Sequence, residues 1–243
     1  MIIKVCGMRE PDNIKAVDTL DIDLMGFIFF QRSPRYVNMV SSMAGIIPDY
    51  ADDRQAAARQ ESAADEATAQ RHTAARVGVF VDDMPQNIVT RIYNYRLDYV
   101  QLHGSESPTM IRNLKRTVVP DIAPHLKIIK AIAVTTADDL KQCEAYEGDV
   151  DMFLFDTKTM STNGGTTSGG SGRKFDWSLL DHYHGRTPFL LSGGIEPDDA
   201  DAILAIRHPQ FAGIDLNSRF ETAPGVKDVE KLRSFITKIR QHE

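Results

Sequence analysis

Lys4 and Cys6 stand two residues apart at the end of a short apolar run, so on an extended strand both side chains point to one face. The pairing sets a titratable thiol beside an ammonium group that favours its thiolate, a combination suited to taking up a proton. Asp156 closes a second apolar run, MFLF at 152–155, where a carboxyl group is placed to hold a proton for delivery. Gln101-Leu102-His103-Gly104 closes a third run. Ser192-Gly193-Gly194 and Asp215-Leu216-Asn217-Ser218 close two more. Glycines let backbone N–H groups approach an anion closely, and a helix N-terminus following them carries partial positive charge. Proton transfer beside a bound anion is the chemistry these residues suggest.

Each residue also has a plainer reading. Cys6 can be a small buried hydrophobe, Asp156 a helix cap, His103 a satisfied structural histidine and the diglycine an ordinary turn. What distinguishes them is where they fall once the surrounding elements are placed.

Apolar runs suggest strands at 2–6, 24–30, 76–81, 99–103, 127–134, 152–155, 189–192 and 213–216. Most are continuously apolar, as parallel strands covered on both faces require. The intervening segments read as helices. Val229, Leu232, Phe235, Ile236 and Ile239 share one face of a 3.6-residue period, and Ile14, Val17 and Leu20 form a shorter stripe. Pro11, Pro108 and Pro197 stand where helices begin, since a first-turn residue needs no N–H partner. Strands and helices alternating in this way leave a closed barrel or an open doubly wound sheet. The strand count favours a single-domain (β/α)8 TIM barrel over residues 1–243, and no G-x-G-x-x-G follows the first strand to support a dinucleotide fold. In such a barrel the active site lies at the C-terminal ends of the strands, where all the candidates above fall. Two intervals are long: a polar, Ala/Gln-rich insert at about 49–76, and a Gly/Ser-rich loop at about 158–173, a slack linker or a lid.

The bulk figures narrow the class. A chain of 243 residues with 42% hydrophobic and 26% charged residues can bury a large core without staples. A formal charge of −6 argues against a general nucleic-acid or anionic-membrane binder, though not against a local phosphate pocket. Two cysteines, Cys6 and Cys143, are too few for a disulfide scaffold, and no C-x-x-C spacing suggests zinc. No apolar run approaches the ~20 residues of a membrane span. The expectation is a soluble cytoplasmic protein acting on a small phosphorylated partner, as a monomer or alternatively a dimer.

The motifs KVCGMR, GFIF followed by SPRYV, VGVFV, QLHG, LFDT, GGSGRKFDW, LSGGI and DLNSRFE, in this order from residue 2 to about 238, resemble phosphoribosylanthranilate isomerase of tryptophan biosynthesis. The resemblance implies an Amadori rearrangement that uses neither metal nor organic cofactor. Carried onto matching positions, it implies Cys6 as general base, Asp156 as general acid and Arg35, within SPRYV, facing the anthranilate carboxylate. Gln101, His103 and Asp215 would contact substrate, and backbone around Gly193, Gly194, Asn217 and Ser218 would hold the phosphate. The GGSG stretch departs from the family's short loop by the added GGTTS before it, and the insert near 49–76 is also longer. A histidine-pathway isomerase, which uses two aspartates, is the nearest rival, and Cys6 at the first strand end speaks against it. A barrel that binds a phosphorylated ligand without turning it over is the alternative from another class.

Overall fold

Strands that are apolar on both faces need cover on both, and a ring of them shares one interior. The chain solves the problem in that way. The computed structural model describes residues 1–37, 74–157 and 176–242. Its strands are β1 (Ile2–Cys6), β2 (Leu24–Ile28), β3 (Ala75–Phe80), β4 (Tyr99–Leu102), β5 (Lys127–Val134), β6 (Met152–Thr157), β7 (Phe189–Leu191) and β8 (Phe211–Leu216). Their order round a closed barrel is their order in the chain, and β8 pairs in parallel with β1 through Ile2↔Gly213 and Lys4↔Asp215. The expected (β/α)8 barrel is therefore the fold.

Strand limits differ from expectation by a residue or two at most ends, β1 and β5 excepted. The second strand stops at Ile28 instead of 30 because the chain bends and returns, bringing Tyr36 beside Ile28 and bonding Val37 N to Ile28 O at 2.9 Å. That return lifts Arg35 to the barrel mouth.

The described helices are α1 (Pro11–Asp18), α2 (Pro85–Tyr95), α3 (Pro108–Val118), α4 (Ala200–Leu204) and α5 (Val229–Gln241). Prolines open α1, α2 and α3, and the Ser107 hydroxyl caps α3 by accepting from Met110 N. Along α5, Leu232, Phe235, Ile236 and Ile239 are buried. The stripe in α1 ends sooner than expected, since Leu20 is buried just beyond the helix.

Three segments expected as helices wind as 3₁₀ turns: Ala137–Ala145, Trp177–His182 and Pro197–Asp199. In the first, the two buried side chains are Leu140 and Cys143, whose three-residue spacing repeats once per 3₁₀ turn. An unanticipated hairpin, β9 (Glu221–Ala223) and β10 (Val226–Lys227), follows β8. The polar insert, up to residue 73, and the Gly/Ser-rich loop at 158–173 lie outside the described residues. Ala75, assigned to the insert from sequence, instead begins β3, one residue before the strand start expected at 76.

The barrel interior is filled by Leu24, Val77, Ile129, Ala131, Met152, Leu154 and Leu190. A larger apolar layer, including Phe27, Phe153, Phe155, Ile203 and Phe235, is buried apart from it. Each such side chain contributes about 1.5–3 kcal/mol by leaving water. Among the described residues, no helix is long and apolar enough to cross a membrane.

Candidate active site

Period-two alternation carries the interior face up each strand. On β4, Tyr99 packs against the interior cluster, so Gln101 and then His103 follow it on the same face. On β6, Met152 and Leu154 lead to Asp156; on β1, Ile2 leads to Lys4 and Cys6; on β7, Leu190 leads to Ser192. The Lys4↔Asp215 register sets Asp215 beside this layer from β8. An apolar floor thus gives way at the C-terminal ends to a layer of Lys4, Cys6, Gln101, His103, Asp156, Ser192 and Asp215, which are buried except for half-buried His103.

Lys4 is fully buried and donates from Nζ to Asp215 Oδ1 at 2.8 Å, while Ser192 Oγ donates to Asp215 Oδ2 at 3.3 Å. Burial works to lower the Lys4 pKa, but the Asp215 carboxylate outweighs it and holds the ammonium above its ordinary value. Burial also pushes the Cys6 thiol up, opposed by the Lys4 and Lys227 ammonium groups and reinforced by Asp215. The expected push from Lys4 is present, yet desolvation exceeds it.

Across the barrel, Gln101 Nε2 lies 2.9 Å from His103 Nδ1, and His103 Nε2 lies 3.4 Å from Asp156 Oδ2. These three residues, chosen separately from sequence, form one chain of contacts.

Arg35 is buried beside the hairpin. Its Nε donates to Glu221 Oε1 at 2.9 Å and Oε2 at 3.1 Å, and its Nη2 donates to Glu221 Oε2 at 2.7 Å. Lys227 Nζ reaches the same carboxylate at 2.7 Å, and also the Asn217 side-chain oxygen at 2.8 Å and main-chain oxygen at 3.3 Å. Burial would raise the Glu221 pKa, but the Arg35 guanidinium and Lys227 ammonium hold it below the usual carboxylate range. Burial lowers that of Lys227 despite Glu221. A Cβ on Gly7, whose φ is +79°, would lie 2.6 Å from Arg35 Cδ and 2.8 Å from Asn217 Oδ1. Residues placed at opposite ends of the substrate from sequence therefore converge beside Cys6.

Gly193 and Gly194 have φ of +86° and +71°, the left-handed region that favours glycine. Among the described residues, neither amide N–H has an acceptor. The helix expected after them is a three-residue 3₁₀ turn running into the five residues of α4, so a helix dipole adds little there. Ser218 opens another short 3₁₀ turn just after Asn217.

Sequence reasoning missed Glu221, Lys227 and a buried pair beneath the loop after β4. In that pair Lys130 Nζ donates to Glu106 Oε2 at 3.2 Å and Gly104 O at 2.7 Å, while Glu106 accepts from Asp82 N and Gly104 N. The Pro-Gly between ETA and VK was a hairpin signal that would have paired Glu221 with Lys227. Nothing in the sequence marks Lys130 and Glu106. A groove of about 680 Å³ between α2 and α3, lined by residues such as Pro85, Val89, Met110 and Leu114, contains no titratable side chain and offers no comparable chemistry.

The sequence model of the N-(5'-phosphoribosyl)anthranilate isomerase family matches residues 41–238. An N-(5'-phosphoribosyl)anthranilate isomerase of Parabacteroides distasonis is 44% identical over 239 residues, covering 98% of this chain and 93% of the relative. That of Phocaeicola vulgatus is 41% identical over 241 residues, covering 99% and 98%. A crystal structure of phosphoribosyl anthranilate isomerase in complex with reduced 1-(o-carboxyphenylamino)-1-deoxyribulose 5-phosphate superposes with a TM-score of 0.65 at 26% identity, over 99% of this chain and 100% of that one. With the family's motifs mounted on a closed eight-stranded barrel and their polar side chains gathered at its C-terminal mouth, the chain belongs to the N-(5'-phosphoribosyl)anthranilate isomerase family.

Proposed function

We propose that the protein isomerises N-(5'-phosphoribosyl)anthranilate to 1-(2-carboxyphenylamino)-1-deoxyribulose 5-phosphate, a step of tryptophan biosynthesis, by acid–base catalysis. The observation that carries this reading is the arrival of Cys6 from β1 and Asp156 from β6 in one buried layer, with Arg35 and the Gly193–Gly194 turn at its rim.

In this reading Asp156 delivers a proton to the ribose ring oxygen. The C1–O bond breaks with its electrons passing to that oxygen, and the anthranilate nitrogen lone pair forms the C=N bond. Cys6, as thiolate, then removes the proton from C2, and those electrons neutralise the iminium to give an enaminol. Transfer of a proton from the C2 hydroxyl to C1 yields the ketose. One proton leaves Asp156 and one arrives at Cys6, so product and substrate are isomers, and proton exchange with solvent returns both groups to their starting forms.

Arg35 holds the anthranilate carboxylate. Glu221 occupies the Nε–Nη2 edge of the guanidinium, and among the described residues Nη1 donates to none, which suits the Nη1–Nη2 edge to a bidentate carboxylate. The phosphate is held by backbone N–H groups of Gly193 and Gly194, with Ser218 in the turn after β8 as a further donor, while Asn217 is engaged by Lys227 on the Arg35 side. His103 and Asp215 line the substrate, and Gln101 lies beneath them against His103 Nδ1. Both cysteines are free and buried, which fits a reducing cytoplasm.

Turnover of N-(5'-phosphoribosyl)anthranilate, followed by loss of anthranilate fluorescence, tests the assignment. A purified protein that binds this substrate without converting it, or that converts only the aminoimidazole analogue, would overturn it.

A further inference from the structure

We propose that Gln101 is a positioning residue that sets the tautomer of His103, so that the imidazole supports Asp156 as it gives up its proton. The proposal rests on Asp156 being the general acid.

A carboxamide nitrogen only donates. With Gln101 Nε2 at 2.9 Å from His103 Nδ1, that ring nitrogen accepts, and the proton of a neutral imidazole sits on Nε2. Nε2 is the atom 3.4 Å from Asp156 Oδ2, so the ring directs an N–H towards the carboxyl group. Before proton transfer this contact is weak, being long and made to a neutral acid. After transfer the carboxylate is an anion in a buried layer, and the same N–H stabilises the charge that has just developed. The interaction therefore strengthens along the reaction and acts on rate more than on binding.

Gln101 suits this role for two reasons. Its side chain is 1% exposed, wedged between the apolar floor and the polar layer, so it turns little. Among the described residues its Oε1 is buried without a hydrogen-bond partner, a cost a glutamine bears poorly as structural filling. Leucine or methionine would fill the same place without that cost. The amide is accounted for by what its nitrogen does to His103.

The test is steady-state kinetics on Gln101→Leu, made alone and in the Asp156→Asn background, with circular dichroism as the folding control. Losing a hydrogen bond that supports a charged group lowers kcat roughly 10–100-fold, and KM stays within about twofold. In the Asp156→Asn background the same substitution has no further effect, because the group it acts through is gone. A rise in KM at unchanged kcat, or an equal loss in both backgrounds, overturns the positioning role while leaving Asp156 as the acid. Full activity in Asp156→Asn alone overturns the acid assignment itself, and the proposal with it. If Gln101→Leu does not fold, His103→Ala titrated with free imidazole decides the matter. Recovery of kcat supports the proposal, and no recovery sinks it.

Discussion

Glu221 grips Arg35 by one edge of its guanidinium, through three hydrogen bonds of 2.7–3.1 Å. A planar group held that way cannot rotate, so its remaining edge faces one direction. Lysine has neither the fork nor the second edge. We expect Arg35→Lys to raise KM for N-(5'-phosphoribosyl)anthranilate at least about tenfold and to leave inhibition by inorganic phosphate nearly unchanged. Equal weakening of substrate and phosphate would show that Arg35 does not meet the carboxylate.

The two cysteines offer an internal control. Both are buried, but Cys6 lies among Lys4, Asp215 and Lys227, whereas burial and nearby glutamates push Cys143 up to about 12. General acid and base groups contribute about 10²–10⁴-fold each, so Cys6→Ala and Asp156→Asn should each reduce kcat by at least about two orders of magnitude with the fold intact. Cys143→Ala should retain turnover within a few-fold. A fully active Cys6→Ala enzyme would refute the assignment of the base.

The environment of Cys6 also predicts a pH profile. Because its thiol is held above the ordinary value, the thiolate is the minor form near neutrality and grows as pH rises. The ultraviolet absorbance of the thiolate, followed in the Cys143→Ala background, should therefore climb from neutral into alkaline pH. Lys227 favours the thiolate, so Lys227→Gln should move that climb to higher pH. A profile that falls over this range in the Cys143→Ala parent, or a shift to lower pH on adding Lys227→Gln, would contradict the account.

At the Gly193–Gly194 turn the backbone is left-handed, and β-branched residues adopt that conformation at a cost of about 1–3 kcal/mol. Gly194→Val should raise KM at least about tenfold by moving the two N–H groups, with a smaller effect on kcat. Crystals soaked in phosphate supply the direct check. An anion bound only at places remote from Gly193, Gly194 and Ser218 would exclude this phosphate site.

Strand placement was legible because eight buried parallel strands leave eight apolar runs, and the rule that barrel sites lie at strand C-terminal ends picked out Lys4, Cys6, Gln101, His103 and Asp156. Contacts between strands were not legible. That Lys4 bonds Asp215 depends on the β1–β8 register, and that Arg35 bonds Glu221 depends on a hairpin that two short strands barely announce. The 3₁₀ turns were missed for a related reason. Apolar residues at i and i+3 fit either winding, and only tertiary packing selects between them. The Lys130–Glu106 pair is invisible in sequence because its members lie 24 residues apart on different elements.

The Lys4–Asp215 contact joins residues 211 positions apart and crosses the seam where β8 closes on β1. A ribosome releases β1 long before β8 exists. Until then β1 has one unpaired edge, and Lys4 and Cys6 lie beside it without Asp215, Ser192, Lys227 or Glu221. A long-range closure of this kind is slow to form, since the intervening chain must first be organised. The reactive thiol therefore gains its full electrostatic setting in the same late event that removes the last sheet edge. Nascent fragments ending before residue 211 should show β1 amides that exchange freely with solvent, and no turnover. In this barrel, catalytic competence and topological closure arrive together.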